Sequence, residues 1–183
     1  MTQADEQQLM KQLFDPKTQR QAFERIVREY SEQLYWHIRR IVLIHDDADD
    51  VLQNVFLKAW THLDKFHQDS RISTWLYRIA VNECIDFMRR KKNQIQVSAD
   101  SENVGIANML VADNYFDGDK TQALLQEAIA QLPDVQRMVF TLRYFDEKKY
   151  SEISELLHTS EGSLKASYHI AVKKISEFFK RND

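Results

Sequence analysis

Residues 71–92, RISTWLYRIAVNECIDFMRRKK, contain neither Gly nor Pro and repeat their apolar side chains every three or four positions. At 3.6 residues per turn, Ile72, Leu76, Ile79, Ala80, Cys84 and Phe87 gather on one broad arc of a helix, which demands a core to pack against. The opposite stripe carries Arg71, Thr74, Arg78, Asn82, Asp86 and Arg89, and the helix then runs into Arg90, Lys91 and Lys92. Six basic residues (Arg71, Arg78, Arg89, Arg90, Lys91, Lys92) stand against two acids (Glu83, Asp86), so this face can meet phosphate. Trp75 and Ile85 fall on the polar stripe. An aromatic there either stacks on an unpaired base or wedges between base steps, or else packs on a neighbouring helix. Glu83 falls inside the apolar arc, where periodicity gives no reason for it.

Upstream, Ala22, Phe23, Ile26, Val27, Tyr30, Leu34, Ile38, Ile41 and Val42 mark a long amphipathic helix, preceded by a short one over residues 7–17 that ends near Pro16. Asp46, Asp47, Asp49 and Asp50 suit the positive end of a helix dipole and open a further helix bearing Val51, Leu52, Val55, Phe56, Ala59, Trp60 and Leu63. FHQDS, residues 66–70, breaks the pattern ahead of the central helix. Residues 1–92 thus read as one helical domain.

Between Asn93 and Asp119 the periodicity vanishes, and Asp100, Glu102, Asp113, Asp117 and Asp119 occur without Lys or Arg. Residues 93–120 read as a flexible acidic linker, either a plain tether or a charge mimic that screens the basic faces. From Thr121 the helical pattern returns with Ala123, Leu124, Ala128, Ile129 and Leu132. Pro133 then suits a first helical position ahead of Val135, Met138, Val139 and Leu142. Ser151 is the expected N-cap of a helix with Ile153, Leu156 and Leu157, and Ser160 that of the last helix. On that last helix Leu164, Tyr168, Ala171, Ile175 and Phe178 point inward, leaving Lys165, Ala166, His169, Ile170 and Lys173 outward. Residues 121–183 read as a helix-turn-helix domain whose outer face suits a DNA groove, small Ala166 allowing close approach while Lys165 and His169 donate.

The chain of 183 residues is 43% hydrophobic with 3 Gly and 2 Pro, so an all-α fold with two small helical domains is expected. Its formal net charge of -3 describes the total and not the local basic faces. A single cysteine, Cys84, excludes an internal disulfide and suits a buried thiol in a reducing cytoplasm. The N-terminal residues lack a signal-peptide pattern, and no run of about eighteen apolar residues offers a membrane span. The six histidines, His37, His45, His62, His67, His158 and His169, have no metal-ligand spacing, so neither metal nor cofactor is expected. Without a phosphate-cradling Gly-rich loop or a nucleophile motif, Asp46 and Asp50 are better read as a helix start than as an acid/base pair, and no catalysis is expected.

Three stretches in order, DADDVLQNVFLKAW, STWLYRIAVN with its basic tail, and LRYFDEKKYSEISELLHTSEGSLKASYHIAVKK, resemble the extracytoplasmic-function (ECF) class of bacterial RNA polymerase sigma factors from about Ala22 to Phe179. The resemblance implies a region 2-like bundle, a region 4-like helix-turn-helix domain, and no additional folded domain between them. It implies docking of Asp50, Gln53, Asn54, Phe56 and Lys58 on the clamp of the polymerase core's largest subunit, although Asn54 stands where relatives often have Glu and Phe56 suits the core. It implies contact of Arg71, Trp75, Arg78, Asn82, Arg89, Arg90 and Lys91 with the downstream promoter element. The upstream element would meet Ser163, Lys165, Ala166, Ser167, His169 and Lys173. Gln68 replaces a common Gly in the loop that holds an unstacked base, and Ser167, Ile170 and Val172 replace arginines of many relatives, so promoter preference does not transfer. The implied partners are the core enzyme through its clamp and flap regions, promoter DNA and an anti-sigma factor, without membrane insertion. A stand-alone helix-turn-helix regulator with an N-terminal dimerisation or sensing domain is the competing reading. It leaves the acidic segment and the basic helix without a purpose.

Overall fold

The computed structural model describes residues 3–66, 70–95 and 120–182, and every regular element among them is helical. In chain order these are α1 (Gln3–Leu13), α2 (Gln19–Val42), α3 (His45–Thr61), a 3-10 turn (Leu63–Lys65), α4 (Ile72–Ile95), α5 (Lys120–Ala130), α6 (Asp134–Tyr144), α7 (Tyr150–Leu157) and α8 (Glu161–Asn182). Helix α1 stops at Leu13, earlier than the sequence suggests. Asp15 explains this: its carboxylate accepts from the Lys17 N–H at 3.0 Å and its carbonyl from the Gln19 N–H at 2.8 Å, a local turn that competes with helix. The central helix runs three residues past Lys92, to Ile95.

Two helix starts also differ from expectation. Helix α7 begins at Tyr150 with Lys149 as its N-cap, so Ser151 lies in the first turn; the Glu152 carboxylate reaches back to accept from the Lys149 N–H at 2.8 Å. Pro133 is the N-cap of α6 and not its first residue. Ser160 does cap α8, its hydroxyl accepting from the Ser163 N–H at 3.3 Å.

The apolar arcs build two cores. In the larger, Ile26, Leu34, Ile38 and Ile41 of α2, Ala48, Val51, Val55 and Ala59 of α3, and Ile72, Leu76, Ala80 and Cys84 of α4 are buried together. In the smaller, Ala128 and Ile129 of α5 and Phe140 of α6 close on Ala171, Ile175 and Phe178 of α8. The larger core continues through Met138, Val139 and Leu142 of α6 into Ile153 and Leu164. The two helical groups therefore dock on each other, with α6 buried on both sides. Val135, expected among its apolar contacts, is instead 60% exposed.

Glu83, unexplained by periodicity, has a partner. It is 4% exposed, and the Lys58 ammonium of α3 reaches it from the surface as an ion pair between α3 and α4. Burial of Cys84, reinforced by neighbouring Glu83, pushes its thiol well above the ordinary cysteine value.

Candidate nucleic-acid and protein interfaces

Because α4 buries one arc, its other face is fixed toward the outside. Arg71, Arg78, Asn82, Arg89 and Arg90 are exposed, and Lys91 is half-buried where its ammonium bonds the Asp47 carboxylate at 2.8 Å. That bond ties the basic end of α4 to the acidic start of α3. Trp75 is half-buried, its ring 5.0 Å from that of Phe66, so it packs on the chain leaving the 3-10 turn. Ile85 likewise packs partly on the larger core.

The outward face of α3 carries Asp50 and Gln53 exposed, Asn54 and Phe56 half-buried, and two large apolar residues in water, Leu57 at 61% and Trp60 at 40% exposure. Trp60 and Phe56 both pack edge-on to Phe23 of α2, at 5.0 and 6.5 Å between ring centres. The result is a packed aromatic shelf toward the C-terminal end of the helix that carries Asp50 near its start. Lys58, expected on this face, spends its charge on Glu83.

On α8, Ser163, Lys165, Ala166, His169, Ile170 and Lys173 are exposed and Ser167 half-buried. Leu164, Ala171, Ile175 and Phe178 hold the inner side, and Tyr168 is half-buried between the cores. Lys165 pairs with Glu161 at 3.4 Å and Lys173 with Glu177 at 4.0 Å. Such exposed pairs are worth little, so a phosphate can displace them.

Sequence reasoning missed the contacts between the two helical groups. Arg137, in the first turn of α6, is 6% exposed: its Nε donates to the Ile41 carbonyl of α2 at 2.8 Å, and its other nitrogens to the Leu132 carbonyl at 2.9 Å and the Asp134 carboxylate at 2.6 Å. Nearby, Arg40 stacks over the Phe145 ring at 4.4 Å and Lys148 lies 5.1 Å over Tyr77. Burial lowers the Arg40 pKa, partly offset by Asp146. A basic residue inside the apolar run VQRMVFTL was the available signal.

The family model for Sigma-70 region 2 covers residues 26–94, and that for Sigma-70 region 4 covers residues 122–175. The chain is 34% identical over 161 residues to the ECF RNA polymerase sigma factor SigW of Bacillus subtilis, covering 84% of this chain and 86% of that one. This chain belongs to the ECF sigma factors. It is 30% identical over 158 residues to the ECF RNA polymerase sigma-E factor of Escherichia coli K12, covering 82% of each. Among solved structures, the sigma factor RpoE of Bartonella quintana, in complex with the anti-sigma factor NepR, shares the fold with a TM-score of 0.63 and 22% identity over 86% of this chain and 96% of that one. As an ECF sigma factor the chain serves promoter-specific transcription initiation, and its all-α build matches that role. Among the described residues no helix is long and apolar enough to cross a membrane, and no three His, Cys, Asp or Glu side chains cluster as metal ligands. The acidic stretch 96–119 and the loop positions 67–69, including Gln68, lie outside the described residues.

Proposed function

We propose that this sigma factor divides its work among three faces: α3 docks on the clamp of the core polymerase, the polar stripe of α4 handles the downstream promoter element at the point of strand opening, and α8 reads the upstream element as duplex. Residues 1–92 and 121–183 are the two working domains. The observation that carries the reading is the outward face of α3, where Leu57 and Trp60 stand in water beside Asp50 and Gln53. Large apolar side chains packed on a rigid helix and rimmed by charge are the makings of a protein interface. The stripe of α4 and the outer face of α8 add basic and hydrogen-bonding groups, as phosphate and base edges require, although α8 also exposes Ile170 and Val172. The chain acts in the cytoplasm, performs no chemistry of its own and is held in check by an anti-sigma factor, as the RpoE relative is bound by NepR.

Asp50→Arg tests the docking assignment. The variant keeps its helical circular dichroism and loses core-polymerase affinity by at least about tenfold, the factor expected from a like charge at a complementary interface. Unchanged affinity in a binding titration removes α3 as the docking face.

A further inference from the structure

The outer face of α8 carries one large apolar side chain in polar company. Ile170 is 43% exposed, in the third turn of a helix whose inner side is already supplied by Leu164, Ala171, Ile175 and Phe178. Its neighbours three and four positions away are Ala166 and Ser167 on the N-terminal side and Lys173 and Lys174 on the other. Helical side chains lean toward the N-terminus, so Ile170 lies over the turn of Ala166 and Ser167, where nothing larger screens it. Branched at Cβ, isoleucine holds essentially one χ1 rotamer in a helix, and the group projects in a fixed direction. An apolar residue scattered on a surface needs no explanation, but this one stands among the residues assigned to the upstream element. Val172, the other exposed apolar residue of α8, lies two positions on and so falls on the far flank of the face, beside His169.

The choice of side chain at such a place has a chemical meaning. Every base offers hydrogen-bonding groups in the major groove, but only thymine offers an apolar one, its 5-methyl group. Isoleucine can neither donate nor accept. Pressed against guanine, adenine or cytosine it strips water from N7, O6 or an amino group and returns no hydrogen bond; against a thymine methyl it removes apolar surface from water on both sides. Ala166 lets the backbone come close enough for this contact, and the exposed Lys173 and Lys174 stand beside it to meet phosphate. Ile170 follows Lys165 by five residues, about 7.5 Å along the helix, so the two reach positions within roughly two base pairs of each other.

We propose that Ile170 is a specificity-determining residue of this sigma factor, selecting a thymine in the upstream promoter element by contact with its 5-methyl group. The proposal rests on the reading of α8 given above and goes one step further, since it names the base and the atom that the helix selects. A failure of the one is separable by experiment from a failure of the other.

The test uses polymerase reconstituted with the full chain. Upstream duplexes are selected from a randomised pool with the parent chain, with Lys165→Ala and with Ile170→Ala. Each thymine of the parent's motif is then replaced singly by deoxyuridine, which removes the methyl and leaves every hydrogen-bonding group of the base in place. With the parent, deoxyuridine at one thymine is expected to weaken binding about fourfold, the value of burying one methyl group. Ile170→Ala places a better helix former at an exposed site, so it keeps the parent's circular dichroism. It is expected to bind the thymine and deoxyuridine duplexes equally, and Ile170→Val, which keeps a branched apolar group, to restore the difference. A motif without thymine, no loss at any thymine, or a loss that persists in Ile170→Ala overturns the proposal. If that happens while Lys165→Ala still alters the selected motif, α8 reads the upstream element and Ile170 does not. A motif left unchanged by both alanine substitutions overturns the proposal together with the reading of α8.

Discussion

Removing the Lys58 ammonium should destabilise the chain although Lys58 sits at the surface. Glu83 lies on the buried arc of α4 between core residues, its side chain 5% exposed, and Lys58 of α3 is its ion-pair partner, itself 49% exposed. Lys58→Met keeps the aliphatic stem and deletes the charge. Breaking a buried ion pair by removing one member costs about 3–5 kcal/mol, because the other charge is left in a poorly solvated site. Here the half-exposed lysine shows that water approaches from one side and screens the pair, which reduces the loss to about 2–3 kcal/mol. For a chain of this length that lowers Tm by roughly 4–12 °C. Urea unfolding followed by far-UV circular dichroism measures the loss. A double-mutant cycle with Glu83→Leu isolates the pair, since replacing both charges by apolar groups is close to neutral. If Lys58→Met unfolds within about 0.5 kcal/mol of the parent, or if the two substitutions simply add, the pair does not hold α3 to α4.

Lys173→Ala is expected to weaken upstream-element binding by the polymerase complex about equally on all sequences and to reduce its salt slope by roughly one, whereas Lys165→Ala should relax preference at a single base pair; an unaltered selected motif with Lys165→Ala counts against base reading there. Cys84 is expected to resist thiol reagents in the folded chain even at mildly alkaline pH, because burial raises its pKa and so holds it as the neutral thiol; absorbance of a disulfide reagent's leaving group should appear only as urea unfolds the chain, and rapid labelling of the native protein would contradict the buried placement.

The helices were legible because each depends on spacing within one segment. The arc of Ile72, Leu76, Ala80 and Cys84 can be buried only as a helix, and its complement, Arg78, Asn82 and Arg89, must then face out. The outer face of α8 follows by the same logic from Leu164, Ala171, Ile175 and Phe178. Helix ends were less legible, since Asp15 and Glu152 compete for backbone donors at short range.

The sequence by itself determined the helical class and which faces carry charge, because those are properties of periodicity and local composition. Only the tertiary structure decided the partners of single polar residues in apolar surroundings. Glu83 looked misplaced until Lys58 arrived from another helix, and Arg137 reads as an ordinary surface arginine until α6 is pressed between α2 and α8. The docking of the two helical groups was hidden for the same reason. A buried polar group is tolerated only where a partner meets it, and that partner can lie anywhere along the chain: 25 residues away for Lys58 and Glu83, 96 for Arg137 and Ile41.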